Sequence, residues 1–107
     1  MTIQEAQNTV DQWINTYGVR YFDIKTNMIV LTEEIGEMAR VIARQHGEQS
    51  VKENENLNLA EEIADVLWVL ICMANQSNID LTKAFSENIE KKTNRDKTRH
   101  LDNIKLK

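Results

Sequence analysis

Carboxylates recur at helical spacing in two stretches, LTEEIGEMAR at residues 31–40 and LAEEIADVLW at residues 59–68. Side chains three or four positions apart on an α-helix share a face. Glu34 and Glu37 are therefore neighbours, and so are Glu33 and Glu37. Glu62 and Asp65 pair in the same way, as do Glu61 and Asp65. Asp65 interrupts an apolar run, between Ile63 and Val66. A lone carboxylate placed there is costly to desolvate unless it is neutralised or paired. A cation removes that cost. Two helices that face each other with two carboxylates each make an all-oxygen, hard site, suited to Mg²⁺ with Mn²⁺ as a substitute. The plainer account is a solvated acidic surface, the usual fate of acidic pairs on helices. The second pair, built around a core aspartate, is what weighs against it.

The elements that must position these groups are helices. The chain has no proline and only three glycines, so it lacks the turn punctuation of an all-β protein. Ile3, Ala6, Val10, Trp13 and Tyr17 recur at helical spacing and predict a first helix over 3–16. Thr2 and Glu5 have capping-box spacing, and Gly18 is a stop. A second helix is expected from Asp23 to just before Gly47, with a core stripe of Met28, Leu31, Ile35, Met38 and Ile42. Residues 47–58 are polar and read as a loop. Asn58 opens a third helix over 59–76, apolar on nearly every side, which calls for burial on every side. One four-helix layer does not cover such a helix, so a second subunit is expected. Asp80 caps a fourth helix carrying Leu81, Ala84, Phe85 and Ile89. The expected architecture is an all-α four-helix bundle forming a single domain over 1–107. Gly36 sits inside the second helix, where glycine costs about 1 kcal/mol relative to alanine. It suits a close approach of a helix or a ligand to the backbone.

Here the chain resembles a known family. EEIGE at 33–37 followed by EIAD at 62–65 resembles the E-E-x-x-E … E-x-x-D signature of the MazG-like, all-α nucleoside triphosphate pyrophosphohydrolases. The resemblance implies that Glu34, Glu37, Glu62 and Asp65 ligate Mg²⁺. Glu33 matches the first position, and its role stays open. The implied reaction is Mg²⁺-dependent cleavage of a nucleoside triphosphate between the α and β phosphates, giving a nucleoside monophosphate and pyrophosphate. The resemblance also implies a homodimer or a tetramer, with sites near subunit interfaces.

Cations are needed for the remaining phosphate charge. Lys91, Lys92, Asn94 and Arg95 resemble the basic, Asn-containing end of the fourth helix in that family. The competing account is a solvated basic end that complements the helix dipole. Arg95 is the favoured member, because a guanidinium binds phosphate in bidentate fashion. Arg40 and Arg44 read as salt-bridge or loop residues. Among the aromatics, Trp13 is the candidate wall of a base pocket, with Tyr17, Tyr21 and Phe22 behind it and Trp68 assigned to the core.

The rest of the composition narrows the classes. A net charge of −4 argues against a nucleic-acid binder that works by phosphate neutralisation. Cys72 stands alone and reads as a small buried hydrophobe, which fits a reducing compartment. The N-terminal residues lack an apolar signal segment, and the run VLWVLICMA at 66–74 is too short to cross a membrane, so a cytoplasmic protein is expected. Neither histidine completes a Glu-x-x-His pair, and no Walker loop, nucleophile elbow or zinc spacing is present. The alternative to an enzyme is a non-catalytic helical interaction protein, or a nucleotide or metal sensor on the same fold.

Overall fold

The computed structural model of the chain describes residues 1–55 and 57–107. Four α-helices account for its architecture, with no strand among the described residues. Helix α1 spans Ile3–Trp13 and begins at Thr2, whose hydroxyl accepts the Glu5 N–H while the Glu5 carboxylate accepts the Thr2 N–H, both at 3.0 Å. It runs on as a single π turn, Ile14–Gly18. The turn ends at Val19, whose φ of 70° is strained for a β-branched residue. Helix α2 spans Ile24–His46, opened by the Asp23 carboxylate accepting the Lys25 N–H at 2.8 Å. It stops at Gly47, where a Cβ would stand 2.7 Å from the Ala43 carbonyl oxygen, so only glycine fits. Helix α3 spans Leu59–Gln76 behind an Asn58 cap, and α4 spans Leu81–Asp96 behind an Asp80 cap. A short 3₁₀ turn, Ile104–Leu106, closes the chain.

Helices α2 and α3 form an antiparallel pair. Near the start of α2, the buried Asn27 amide donates to Gln76 Oε1 at the end of α3, at 2.8 Å. Helix α1 packs across α3 through Val10, Ile14, Ile71 and Cys72. The buried Gln7 ties three elements together. Its amide donates to Asn75 Oδ1 and to the Ile79 carbonyl, each at 2.9 Å, and its Oε1 accepts the Leu81 N–H at 3.0 Å. These bonds satisfy a buried amide and fix where α4 begins.

The buried faces differ from those the hydrophobic periodicity predicts. On α2 the buried positions are Asn27, Leu31 and Val41, while Met28, Ile35 and Ile42 are exposed. Polar Asn27 and half-buried Glu34 belong to the face that meets α3, so an apolar stripe alone rotates the helix wrongly. On α3, Ile63, Leu67 and Leu70 are exposed, as expected of a helix that one chain alone does not cover. Helix α4 packs against α1 and buries none of its residues, and Phe85 and Ile89 are exposed. Gly36 is exposed, and a Cβ there would meet nothing within 4 Å, so among the described residues no helix or segment of this chain approaches it. The chain is correspondingly open. Its radius of gyration is 17.6 Å, against about 13 Å for a compact chain of this length.

Candidate metal centre

Three carboxylates converge between α2 and α3. Glu34, Glu62 and Asp65 each offer one oxygen, and these oxygens all lie within 4.8 Å of one another. Helix geometry explains the convergence. Glu34 lies on the α2 face that carries Leu31 and Val41, and Glu62 and Asp65 share a face of the first two turns of α3. The antiparallel packing of the two helices does the rest. The position of Glu62 in the first turn of α3 also places its charge at the positive end of the helix dipole.

Glu34 carries the electrostatic cost. Burial pushes its carboxyl above the usual range, and the charges of Asp65, Glu62, Glu37 and Glu33 push in the same direction. Asp65 was read as a core aspartate, and the structure corrects this: Asp65 is exposed and Glu34 is half-buried. The reason is position. Asp65 sits where α3 opens to solvent beside the exposed Ile63, whereas Glu34 is walled by the helix pair.

The other nominated carboxylates lie apart from this trio. Glu37 Oε2 accepts from Arg40 at 3.1 Å and is turned toward that guanidinium. Glu33 is exposed, and among the described residues it makes no hydrogen bond or ion pair. Arg40 and Arg44 both pair with Glu55, which is the salt-bridge and loop role expected of them. Lys91, Lys92, Asn94 and Arg95 are exposed on α4, and no hydrogen bond or ion pair joins them to the trio among the described residues. Arg95 instead pairs with Asp96 at 2.8 Å.

A cavity of about 330 Å³ opens one helical turn from the carboxylates. Val30 and Trp68 line it, one turn before Glu34 on α2 and one turn after Asp65 on α3. Trp13, Ile14, Tyr21, Phe22, Val69 and Cys72 add to its apolar wall. Trp68, assigned to the core from sequence, is 37% exposed and belongs to this wall, edge-on to Trp13. Its spacing of three from Asp65 was the available signal. Arg20 and Asn27 also line the cavity, and no motif marks them or Val30.

The donor chemistry fits a hard divalent cation: three carboxylate oxygens in mutual reach, one of them destabilised as an anion until a positive charge arrives. The family model of the MazG nucleotide pyrophosphohydrolase domain matches residues 22–100, which takes in α2, α3 and α4. The chain belongs to that family. It is 39% identical over 99 residues to the uncharacterised protein YpjD of Bacillus subtilis strain 168, covering 92% of this chain and 89% of that one. The crystal structure of YPJD from Bacillus subtilis superposes with a TM-score of 0.77 at 38% identity, over 85% of this chain and 94% of that one. A Bacillus-conserved MazG protein, a nucleotide pyrophosphohydrolase, gives a TM-score of 0.73 at 37% identity, over 85% and 88% of the two chains. The MazG domain match holds all five motif carboxylates and the basic end of α4, while Trp13 lies outside it.

Proposed function

We propose that this MazG-family chain hydrolyses nucleoside triphosphates between the α and β phosphates, releasing a nucleoside monophosphate and pyrophosphate, with Mg²⁺ or Mn²⁺ at Glu34, Glu62 and Asp65. The observation that carries the reading is the adjacency of the carboxylate trio to the aromatic cavity, one helical turn apart on both α2 and α3. A turn of helix advances about 5.4 Å, so a base seated in the cavity leaves its phosphates over the carboxylates. The cavity is also within the size range of small-molecule sites, roughly 300–1,000 Å³.

Glu34, Glu62 and Asp65 would hold the cation, and Glu37, one turn from Glu34 and turned here to Arg40, would swing in as the fourth ligand. When bound, the cation supplies charge neutralisation on the phosphate oxygens and lowers the pKa of a water molecule. Glu33, or another of these carboxylates, would orient the attacking water. Trp13, Trp68 and Tyr21 offer faces and edges to a base. The basic set Lys91, Lys92, Asn94 and Arg95 offers charge to the phosphates, with Arg95 exchanging Asp96 for phosphate.

The reading includes a second copy of the chain. The protomer exposes 8466 Å², where a compact monomer of 12.4 kDa exposes about 6,100 Å². The apolar rows that α2 and α3 leave open, Met28–Ile35–Ile42 and Ile63–Leu67–Leu70, are what such a copy would cover.

The test is a panel of common and modified nucleoside triphosphates, with both product ends identified and with Mg²⁺ or Mn²⁺ present. Formation of monophosphate and pyrophosphate in equal amounts is expected. Pyrophosphate at background for every triphosphate sinks the reading and leaves the fold as a binding or sensing domain.

A further inference from the structure

Ion pairs on α2 run in a chain from the carboxylate site to the turn at Lys52–Glu55. Arg40 donates to Glu37 Oε2 through Nε at 3.3 Å and through a terminal nitrogen at 3.1 Å. Its other terminal nitrogen donates to Glu55 Oε2 at 2.6 Å. Arg44 Nε lies 2.8 Å from Glu55 Oε1, close enough for an ion pair but not aligned for a hydrogen bond. The Glu55 side chain is only 8% exposed. It is held by its own turn, because Glu55 Oε1 accepts the Lys52 N–H and the Glu55 N–H donates to the Lys52 carbonyl, each at 3.2 Å. Asn54 takes the left-handed conformation there, with φ of 64°, which asparagine tolerates.

Arg40 therefore divides one positive charge between two carboxylates of different standing. Glu55 is enclosed and fixed, while Glu37 is 53% exposed and free to leave. Burial alone would raise the Glu55 carboxyl, yet the Lys52 N–H, Arg40 and Arg44 together hold it below the usual range, so Glu55 stays an anion. Glu37 lies three residues from Glu34 on the same helix, but its carboxylate faces Arg40 and not the trio. The cost of turning Glu37 toward the trio is set by what Arg40 keeps when it goes. With Glu55 in place the guanidinium stays paired. Without it, Glu37 is the carboxylate on which the guanidinium must rely.

We infer that Glu55 is a positioning residue for Glu37: by holding Arg40, it frees Glu37 to join Glu34, Glu62 and Asp65 around a divalent cation. The inference rests on the metal-site reading above and extends the site to a loop that carries no family motif. Coupling of this kind is reciprocal. A cation that draws Glu37 away gives Arg40 wholly to Glu55, and the Lys52–Glu55 turn tightens.

The experiment is calorimetric titration with Mn²⁺ alone, with circular dichroism as the check on folding. Glu55→Gln should bind Mn²⁺ roughly three- to fivefold more weakly than wild type, the effect of one good exposed ion pair. Glu53→Gln, the same charge change two residues away on an exposed side chain, should bind as wild type does. Arg40→Gln should bind at least as tightly as wild type, because Glu37 is then unheld, and in that background Glu55→Gln should cost nothing further. The Arg40→Gln arm stands even where Glu55→Gln does not fold. Equal affinity of wild type and Glu55→Gln overturns the inference. So does equal weakening in Glu53→Gln, weaker binding by Arg40→Gln, or an undiminished Glu55→Gln loss in the Arg40→Gln background. A wild type that does not bind Mn²⁺ sinks the metal-site reading together with this one, whereas a wild type that binds beside an unaffected Glu55→Gln sinks this one alone.

Discussion

Trp13 and Trp68 meet edge to face, with ring centroids 5.2 Å apart and planes at 87°. Such pairs are worth about 0.5–1.5 kcal/mol beyond the area they bury. The contact joins the end of α1 to the middle of α3 and forms one wall of the cavity beside the carboxylates. Tyr17 extends the aromatic set, with its ring 5.7 Å from Trp13. Both tryptophans keep over a third of their surface exposed, so under the proposed function the pair would receive a base as well as close the core.

Removing Trp13 should therefore act on binding first. Base–aromatic stacking is worth about 1–3 kcal/mol. Trp13→Ala is expected to raise KM for the preferred triphosphate about tenfold, with kcat changed less than threefold, and Trp13→Phe should recover most of the loss. Steady-state pyrophosphate release reads both constants. An unmoved KM in Trp13→Ala places the base elsewhere.

Tyr21 predicts a limit to stability at alkaline pH. Its hydroxyl donates to Asp11 Oδ1 at 2.6 Å and accepts from the Asn75 amide at 3.0 Å. Burial, followed by the hydrogen bond to Asp11, pushes its pKa up from 10.0 to about 12. A raised folded-state pKa means that the unfolded chain loses its proton first as pH rises. The stabilisation is fully present below pH 10.0 and is lost as pH climbs toward about 12. Tyr21→Phe should be less stable near neutrality, having lost two hydrogen bonds, and its stability should fall less steeply over that alkaline window. Urea unfolding at stepped pH measures both slopes. Parallel slopes for the two proteins contradict the assignment.

The capping residues made the helix boundaries readable in advance. Thr2, Asp23, Asn58 and Asp80 each sit one residue before a helix and accept its first N–H groups. Such signals are local, so a sequence carries them whole. Which face of each helix is buried depends on partners, and there the reading slipped. Asn27 and Glu34 are polar, so a stripe drawn through apolar residues passes beside them, although both face α3. The carboxylate trio was legible because spacings of three hold on any helix. The orientation of Glu37 was not, because its carboxylate is drawn to Arg40 and away from the trio, a contact that helical spacing alone does not choose. The π turn after Trp13 also left no mark in the sequence beyond Gly18.

The apolar rows left open on α2 and α3 predict the assembly. Leu67 is 52% exposed and Ile63 is 51% exposed, on a helix that buries Val69, Ile71, Cys72 and Ala74. Light scattering should give at least twice the 12.4 kDa chain mass at micromolar concentration. Leu67→Glu should shift the protein toward monomer and lower its thermal midpoint, because a charge in a dry interface is costly. A wild type that scatters as a single chain refutes the second copy.

Two single substitutions separate the roles of Glu34 and Asp65. Glu34 is the carboxylate that burial and its four acidic neighbours destabilise as an anion, whereas Asp65 is exposed. In EDTA, Glu34→Gln should therefore unfold at a higher temperature than wild type, and Asp65→Asn should gain less. This trade of stability for function is common at active sites. Both variants should lose pyrophosphate release if both residues hold the cation. Added Mg²⁺ should stabilise wild type by about 2.7 kcal/mol at a hundredfold excess over the dissociation constant, worth roughly 10–20 °C in a chain of this size. Each variant should respond much less, since it offers two oxygens of the trio where wild type offers three. Thermal unfolding with EDTA and with Mg²⁺, run beside product release, decides between the residues. A full Mg²⁺ shift in Asp65→Asn removes Asp65 from the ligand set and leaves the cation to Glu34 and Glu62, with Glu37 as the remaining candidate for the third oxygen.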